Sequence, residues 1–181
     1  LMYIRGLRRE AALQLEQARS LQPFSSLDDL RDRASLRKTE ITTLAGIGAL
    51  NSFGMRRREA LWQVEKVWRP AGPLFEHAAR TDREGRTPLA EMTDEERLIA
   101  DFSGTGLTTG LHPLALRRRE LKAAGFRSAA SLAALKDGRW VRVAGAVIVR
   151  QRPGTAHGFF FITMEDETGL SNVIICPQLY E

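Results

Sequence analysis

This 181-residue sequence has one cysteine, two tyrosines, three histidines and four lysines, and no run of about 18 apolar residues. A single thiol, Cys176, excludes an internal disulfide and points to a reducing, cytoplasmic compartment. The missing apolar run excludes a membrane-spanning helix. His77, His112 and His157 stand far apart and have one cysteine for company, so no metal-ligand cluster and no cofactor is expected. Each histidine should serve structure. The opening LMYIRGLRREAAL has no secretory apolar core and no initiator methionine, so the chain is expected to begin mid-protein.

Scarce lysine leaves arginine to carry the positive charge. Of 27 basic residues, all but the four lysines, 23 in number, are arginine, against 22 acids, for a net charge of +5. Guanidinium forks suit phosphate better than ammonium groups do, and a pI near 10.0 permits an anionic partner. An arginine-rich codon bias explains the same count, and most of the charge is balanced by acids. A hydrophobic fraction of 43% and a charged fraction of 27% fit one ordinary globular domain or two small ones.

Residues 1–68 read as helices. Leu7, Ala11, Leu15 and Ala18 share a face, Ser25 or Ser26 can cap LDDLRDR, and Leu36, Ile41, Leu44 and Ala45 form a stripe. A further stripe holds Ala60, Leu61, Val64, Val67 and Trp68. From Arg69 to about Met92 three prolines and many charges read as an irregular linker. Thr93 and Glu96 make a capping box for a helix ending near Phe102. Pro113 starts another helix that Gly125 stops, and SAASLAAL is a short one. The period then becomes twofold. RWVRVAGAVIVRQR reads as a long strand interrupted at Gly145, FFFITMED as a second and LSNVIIC as a third. The expected class is α+β: a helical region, then an antiparallel OB-type β-barrel that needs five strands and is truncated here after three.

One pattern occurs twice. Gly46–Gly48 precedes the RRRE of Arg56–Glu59, and Gly104–Thr105–Gly106 precedes the RRRE of Arg117–Glu120. Glycine-turn amides beside a helix N-terminus form an anion site, so paired hairpins of this kind can follow a duplex backbone without reading its sequence. Ordinary helix stops followed by solvated basic turns produce the same letters. In the second unit Leu114 and Leu121 mark the buried side, and Arg118 and Arg119 should project from its edge. A second surface combines Arg142, Arg150 and Arg152 on one side of the first strand with Phe159 and Phe161, expected opposite the core. Charge with exposed rings is how single strands are held. Simple packing of the phenylalanines under further strands is the alternative.

The run VRVAGAVIVRQRPGTAHGFFFITMEDETGLSNVI resembles the OB segment of bacterial error-prone DNA polymerases of the C family, relatives of the DNA polymerase III alpha subunit. IRGLRREAA, PFSSLDDL, GALNSFGMRRREALW, LAEMTDEERLIADFSGTGL and GLHPLALRRREL follow in family order, so the resemblance spans essentially the whole chain. It implies residues 1–34 as the end of the fingers, 35–125 as the helix-hairpin-helix DNA-binding region with the linker 69–92, and 126–181 as the first part of the OB domain. It implies DNA synthesis past lesions in damage-induced mutagenesis. The palm carboxylates that hold the two catalytic metals (Mg in the full-length family) lie upstream, so this segment should be inactive alone, with no catalytic or metal residue of its own. Implied partners are DNA, both primer–template duplex and single-stranded template, the sliding clamp and mutagenesis accessory proteins. No clamp-binding peptide is visible.

Gly46, Leu50 and Asn51 depart from the family pattern. There the first helix runs through the glycines and the turn lies nearer Asn51–Gly54, which moves the expected phosphate donors to Ser52, Gly54, Arg56, Arg57 and Arg58. Arg57 should lean toward the packed side, with Arg56 and Arg58 outward. RQRPGTAHGFFFITMEDETGLSNVI reads as the error-prone rather than the replicative form. The alternatives are a segment of the replicative alpha subunit, a non-enzymatic OB module like the anticodon-binding part of a tRNA synthetase, and a helical adaptor that would leave the OB pattern unexplained.

Overall fold

Apolar residues at helical spacing gather the first helices around one core. The computed structural model describes residues 1–68 and 87–179, so His77 and most of the expected 69–92 linker lie outside the described residues. Helix α1 (Arg9–Leu21) buries Ala11 and Leu15. Helix α2 (Leu27–Arg33) starts where Ser26 Oγ accepts from the Asp29 N–H at 3.1 Å, which satisfies an end amide, and it buries Leu27 and Leu30. Helix α3 (Lys38–Gly46) adds Ile41, Leu44 and Ala45, and helix α4 (Arg57–Trp68) adds Ala60 and Val64. Helix α5 (Asp94–Thr105) opens on the expected capping box. The Glu96 N–H donates to Thr93 Oγ1 at 3.2 Å and the Thr93 N–H to Glu96 Oε2 at 2.8 Å. It runs past Phe102 to Thr105, one turn further than its letters promise.

The chain forms two compact units, Leu1–Thr108 and Thr109–Glu181. Residues 1–34 do not stand apart. Leu15, Leu27, Leu30 and Ala34 share a cluster with Ile41, Leu44, Leu50 and Val64, so the compact units do not part at 34/35. Nor do they part at 125/126, because helix α6 (Pro113–Ala123) packs on β1 and β4 of the second unit. His112 caps α6 through Nδ1, which accepts from the Leu114 N–H at 3.1 Å, and Pro113 fills the first turn.

The second unit bears out the mixed α+β class. Strand β1 (Phe126–Arg127) pairs in parallel with β2 (Arg142–Val143), with the short helix α7 (Ala129–Leu132) between them in sequence. Strands β3 (Ala146–Gln151), β4 (Phe160–Asp166) and β5 (Gly169–Ile175) make an antiparallel sheet in that order. The expected long first strand is two pieces. A Cβ at Gly145 would come within 2.7 Å of Met164 Cβ and 3.1 Å of the Glu165 carbonyl oxygen, so the chain passes β4 too closely for any side chain. The register then shifts between Val147 and Val149. Ser171, Val173 and Ile175 share the better-covered face with Phe160, Ile162 and Met164, while Leu170, Asn172 and Ile174 on the other face are exposed.

Candidate nucleic-acid interface

The first hairpin is α3, a glycine-punctuated turn and α4. Helix α3 ends at Gly46 and does not run through the glycines. Gly48 is left-handed (φ 82°), and the helix closes with the Ala49 N–H donating to Leu44 O at 2.9 Å and the Gly48 N–H to Ala45 O at 3.1 Å. That paired closure satisfies the end carbonyls and requires glycine at position 48. A 3-10 turn (Asn51–Phe53) and a second left-handed glycine, Gly54, deliver the chain to α4. Ser52, Gly54 and Arg56 are exposed at this turn, and Gly54, Arg56, Arg58 and Glu91 line an open cleft of about 660 Å³.

The three arginines of the first RRRE run differ. Arg56, with its side chain 70% exposed, pairs with Glu91. Arg57 is largely buried. Its Nη1 meets Asp101 Oδ1 at 2.7 Å and donates to the Arg97 carbonyl at 3.2 Å, and its Nε passes where a Cβ on residue 48 would stand. Asp101 also accepts from Thr108 Oγ1 at 2.7 Å. Arg58, expected to point outward, donates to the Ala90 carbonyl at 2.8 Å and pairs with Glu96 at 2.6 Å. The Thr93 amide and then Arg58 hold the Glu96 carboxyl below its ordinary range despite partial desolvation. Arg57 and Arg58 therefore clamp α4 to residues 90–101 of the same unit.

Gly104, Thr105 and Gly106 finish α5 and do not form a second hairpin turn. Gly104 is buried inside the helix, where a Cβ would strike Ile47 Cγ2, and its carbonyl accepts from the Arg5 N–H at 2.7 Å. Small size at position 104 lets α5 pack against the end of α3. Thr105 Oγ1 lies 2.8 Å from the Asp101 carbonyl oxygen. The Gly106 N–H is committed to Phe102 O at 3.0 Å in a left-handed helix stop. In this pattern the glycines belong to the first unit and the RRRE run to the second.

Arg118, expected to project from its helix, turns inward. Its Nη2 reaches Asp166 Oδ2 at 2.9 Å and Glu167 Oε2 at 3.0 Å. Asp166 is buried and also accepts from the Ala129 N–H at 2.9 Å, the Thr168 N–H at 2.8 Å and the Thr168 hydroxyl at 2.6 Å. Burial pushes the Asp166 carboxyl up, but Thr168, these amides and Arg118 together hold it below the ordinary value. Arg118 does the same for Glu167. Arg119 is exposed.

The expected strand surface does not assemble as one face. Arg142 sits in β2 opposite Phe126, outside the three-stranded sheet, and Arg152 follows β3. Arg150 pairs with Ile162, and its guanidinium lies 5.7 Å from the Phe160 ring centroid, while Phe161 pairs with Gln151 and Ile174. Arg150 and Phe161 therefore occupy opposite faces, because the bulge at Val147–Val149 reverses the alternation after it. Phe159 precedes β4, and its N–H donates to Ala156 O at 2.9 Å.

Glu91, Glu96, Asp101, Asp166 and Glu167 are the acidic partners of these arginines that the letters conceal. Each lies roughly 35 to 50 positions from its arginine, beyond the reach of the 3.6-residue or twofold periods that reveal local pairs. Among the described residues no group of three or more His, Cys, Asp or Glu is placed to hold a metal ion. Among them too, no helix is long and apolar enough to cross a membrane.

A family model described as a helix-hairpin-helix motif matches residues 1–60, which take in α1 to α3, the glycine turn and the first residues of α4. The chain is similar to proteins named error-prone DNA polymerase. It is 44% identical over 178 residues to that of Azoarcus sp. strain BH72, covering 98% of this chain and 16% of the relative. Against Aromatoleum aromaticum it is 42% identical over 181 residues, covering 100% and 17%. Against Pseudomonas syringae pv. tomato it is 44% identical over 181 residues, again covering 100% and 17%. The chain spans about a sixth of the length of these curated relatives. Along essentially its whole length the chain is similar to one segment of proteins named error-prone DNA polymerase, and its residues 1–60 match a helix-hairpin-helix motif.

Proposed function

We propose that this chain is the DNA-holding segment of an error-prone, damage-tolerant DNA polymerase. It contacts the primer–template backbone without reading sequence. The observation that carries this reading is the glycine-closed hairpin α3–α4 inside the helix-hairpin-helix match, in a chain 44% identical to a named polymerase. Ser52, Gly54 and Arg56 form its exposed rim; the Gly54 N–H is committed to Asn51 O at 3.0 Å and the Arg56 N–H to Glu59 Oε2 at 3.3 Å, so the rim would meet phosphate through the Arg56 guanidinium, exchanged from its exposed pair with Glu91. Arg119 adds exposed charge, and the strands β3–β5 are read as the opening of an OB-type barrel. By resemblance, the nucleotidyl transfer and its Mg ions are placed upstream of this segment, and the sliding clamp and mutagenesis accessory proteins are further partners. The working compartment is the cytoplasm, where a bacterial chromosome lies.

Fluorescence anisotropy on a primer–template duplex across a salt series tests the reading. Binding should weaken linearly in log–log form, and a scrambled duplex should bind equally well. Arg56→Ala should lower the slope by about 0.9, the share of one phosphate. Flat salt dependence, or a strong preference for one sequence, would count against backbone contact. In the same mixtures with Mg or Mn, no primer extension is expected, and nucleotide incorporation by the pure chain would sink the division of labour.

A further inference from the structure

The arginines of the first RRRE run are answered by acids from one stretch of chain, and the answers are unequal. Arg56 pairs with Glu91, and both side chains are more than half exposed. Arg57 pairs with Asp101 at 2.7 Å, where the two side chains are only 15% and 9% exposed. An exposed pair parts and re-forms in water at little cost. A covered pair that loses one partner leaves a charge unanswered. Asp101 is the fixed member of the set.

The surroundings hold it there. Asp101 lies one helical turn after Arg97 on α5, so a single turn offers Arg57 a carboxylate and a carbonyl together. The other carboxylate oxygen, Oδ2, accepts from the Thr108 hydroxyl at 2.7 Å, which keeps the side chain from turning away. Two glycines make the approach possible. A Cβ at Gly48 would stand 2.7 Å from Arg57 Nε, and a Cβ at Gly104 would strike Ile47, the residue before Gly48. The hairpin turn is therefore fitted to α5 twice, directly at Ile47 and through Arg57 at Gly48. Arg57 is the first residue of α4, and Arg56 stands immediately before it. Where Arg57 is held, Arg56 must follow.

We propose that Asp101 is a positioning residue for DNA contact: through Arg57 it fixes the start of α4, and with it the direction in which the Arg56 guanidinium meets phosphate. The proposal rests on the backbone-binding reading above and gives that contact its support. Asp101 itself need not touch DNA. A group that acts this way is preorganising the one that does.

The test uses the full chain and a primer–template duplex, read by anisotropy across a salt series. Glu91→Gln and Asp101→Asn each remove one negative charge from the same stretch, so charge alone would tighten binding in both. Glu91→Gln should tighten it by up to about fivefold, because phosphate no longer competes for Arg56. Asp101→Asn should instead weaken it about fivefold. On an Arg56→Ala background that loss should shrink to less than about twofold, because the group it positions has gone. A fold that is merely destabilised would lose the same factor on both backgrounds. Amide resonances of residues 51–56 should also shift in the NMR spectrum of Asp101→Asn. If Asp101→Asn does not fold, Thr108→Val, which frees only Oδ2, goes through the same cycle: coupling to Arg56→Ala is expected, and additivity overturns the proposal. Unchanged or tighter binding by Asp101→Asn, or an equal loss on both backgrounds, overturns the positioning role and leaves the DNA reading standing. Absence of salt-dependent duplex binding in the wild type overturns both.

Discussion

Replacing Glu40 with glutamine should destabilise the helical unit by about 2–3 kcal/mol, a large share of what holds a small domain together. Glu40 is 2% exposed, and it is filled on both oxygens. Oε1 accepts from the Arg8 N–H at 3.0 Å and from Arg8 Nε at 2.8 Å, while Oε2 accepts from Arg8 Nη2 at 3.0 Å and the Arg37 N–H at 2.7 Å. One carboxylate thus caps α3 and fastens the chain ahead of α1 to it. Glutamine keeps the shape but loses the charge, and its amide group would face donors at one end. Urea denaturation followed by helical circular dichroism measures the loss. A change below about 0.5 kcal/mol would show that solvent already screens the pair.

The same carboxylate sets an acid limit. Its hydrogen bonds from the Arg8 side chain, helped by the Arg37 and Arg8 amides, outweigh burial and lower its pKa to about 2 from 4.5. The folded value lies below the unfolded one, so the unfolded chain binds more protons. Glu40's contribution is complete above about pH 4.5 and lost as pH falls toward 2. Asp29 and Glu96, also held low, act in the same direction. In Glu40→Gln the fall in stability across that window should be shallower than in the wild type. An equal fall would place the acid sensitivity elsewhere.

Local chemistry was legible and distant chemistry was not. Ser26, Thr93 with Glu96, Pro113 and Gly125 each act within four residues of themselves, and each lies where its turn or cap requires. The α+β class follows from the change of period near residue 139. Gly104 reads as a loop glycine because glycine usually ends helices. Its packing against Ile47, 57 positions away, overrode that rule, leaving Gly106 as the stop. Strand faces were misjudged for a similar reason. A single bulged residue near Ile148 inverts the alternation and cannot be read from apolar letters on both sides of it. The arginine runs mislead most, since their partners come from other elements.

Arg118→Met should cost the second unit about 3 kcal/mol, while Arg119→Met, its exposed neighbour, should cost less than about 0.5. Both substitutions remove one positive charge from the same helix, so a difference between them cannot come from net charge. Arg118 faces Asp166 and Glu167, whose side chains are 2% and 19% exposed. Without the guanidinium, two carboxylates stand together with only Thr168 and backbone amides to answer them. Both pKa values should then rise, and the midpoint of acid unfolding of the β3–β5 sheet should move to higher pH, because carboxylates that protonate earlier lose their stabilising contribution earlier. Carbon-detected NMR of the two carboxyl groups would follow each titration directly. On DNA the order reverses: Arg119→Met should lower the duplex salt slope by up to about 0.9, and folded Arg118→Met should leave it unchanged. A slope lowered by Arg118→Met with both carboxyl titrations unmoved would make Arg118 a phosphate ligand after all, and the inward latch would have to be given up.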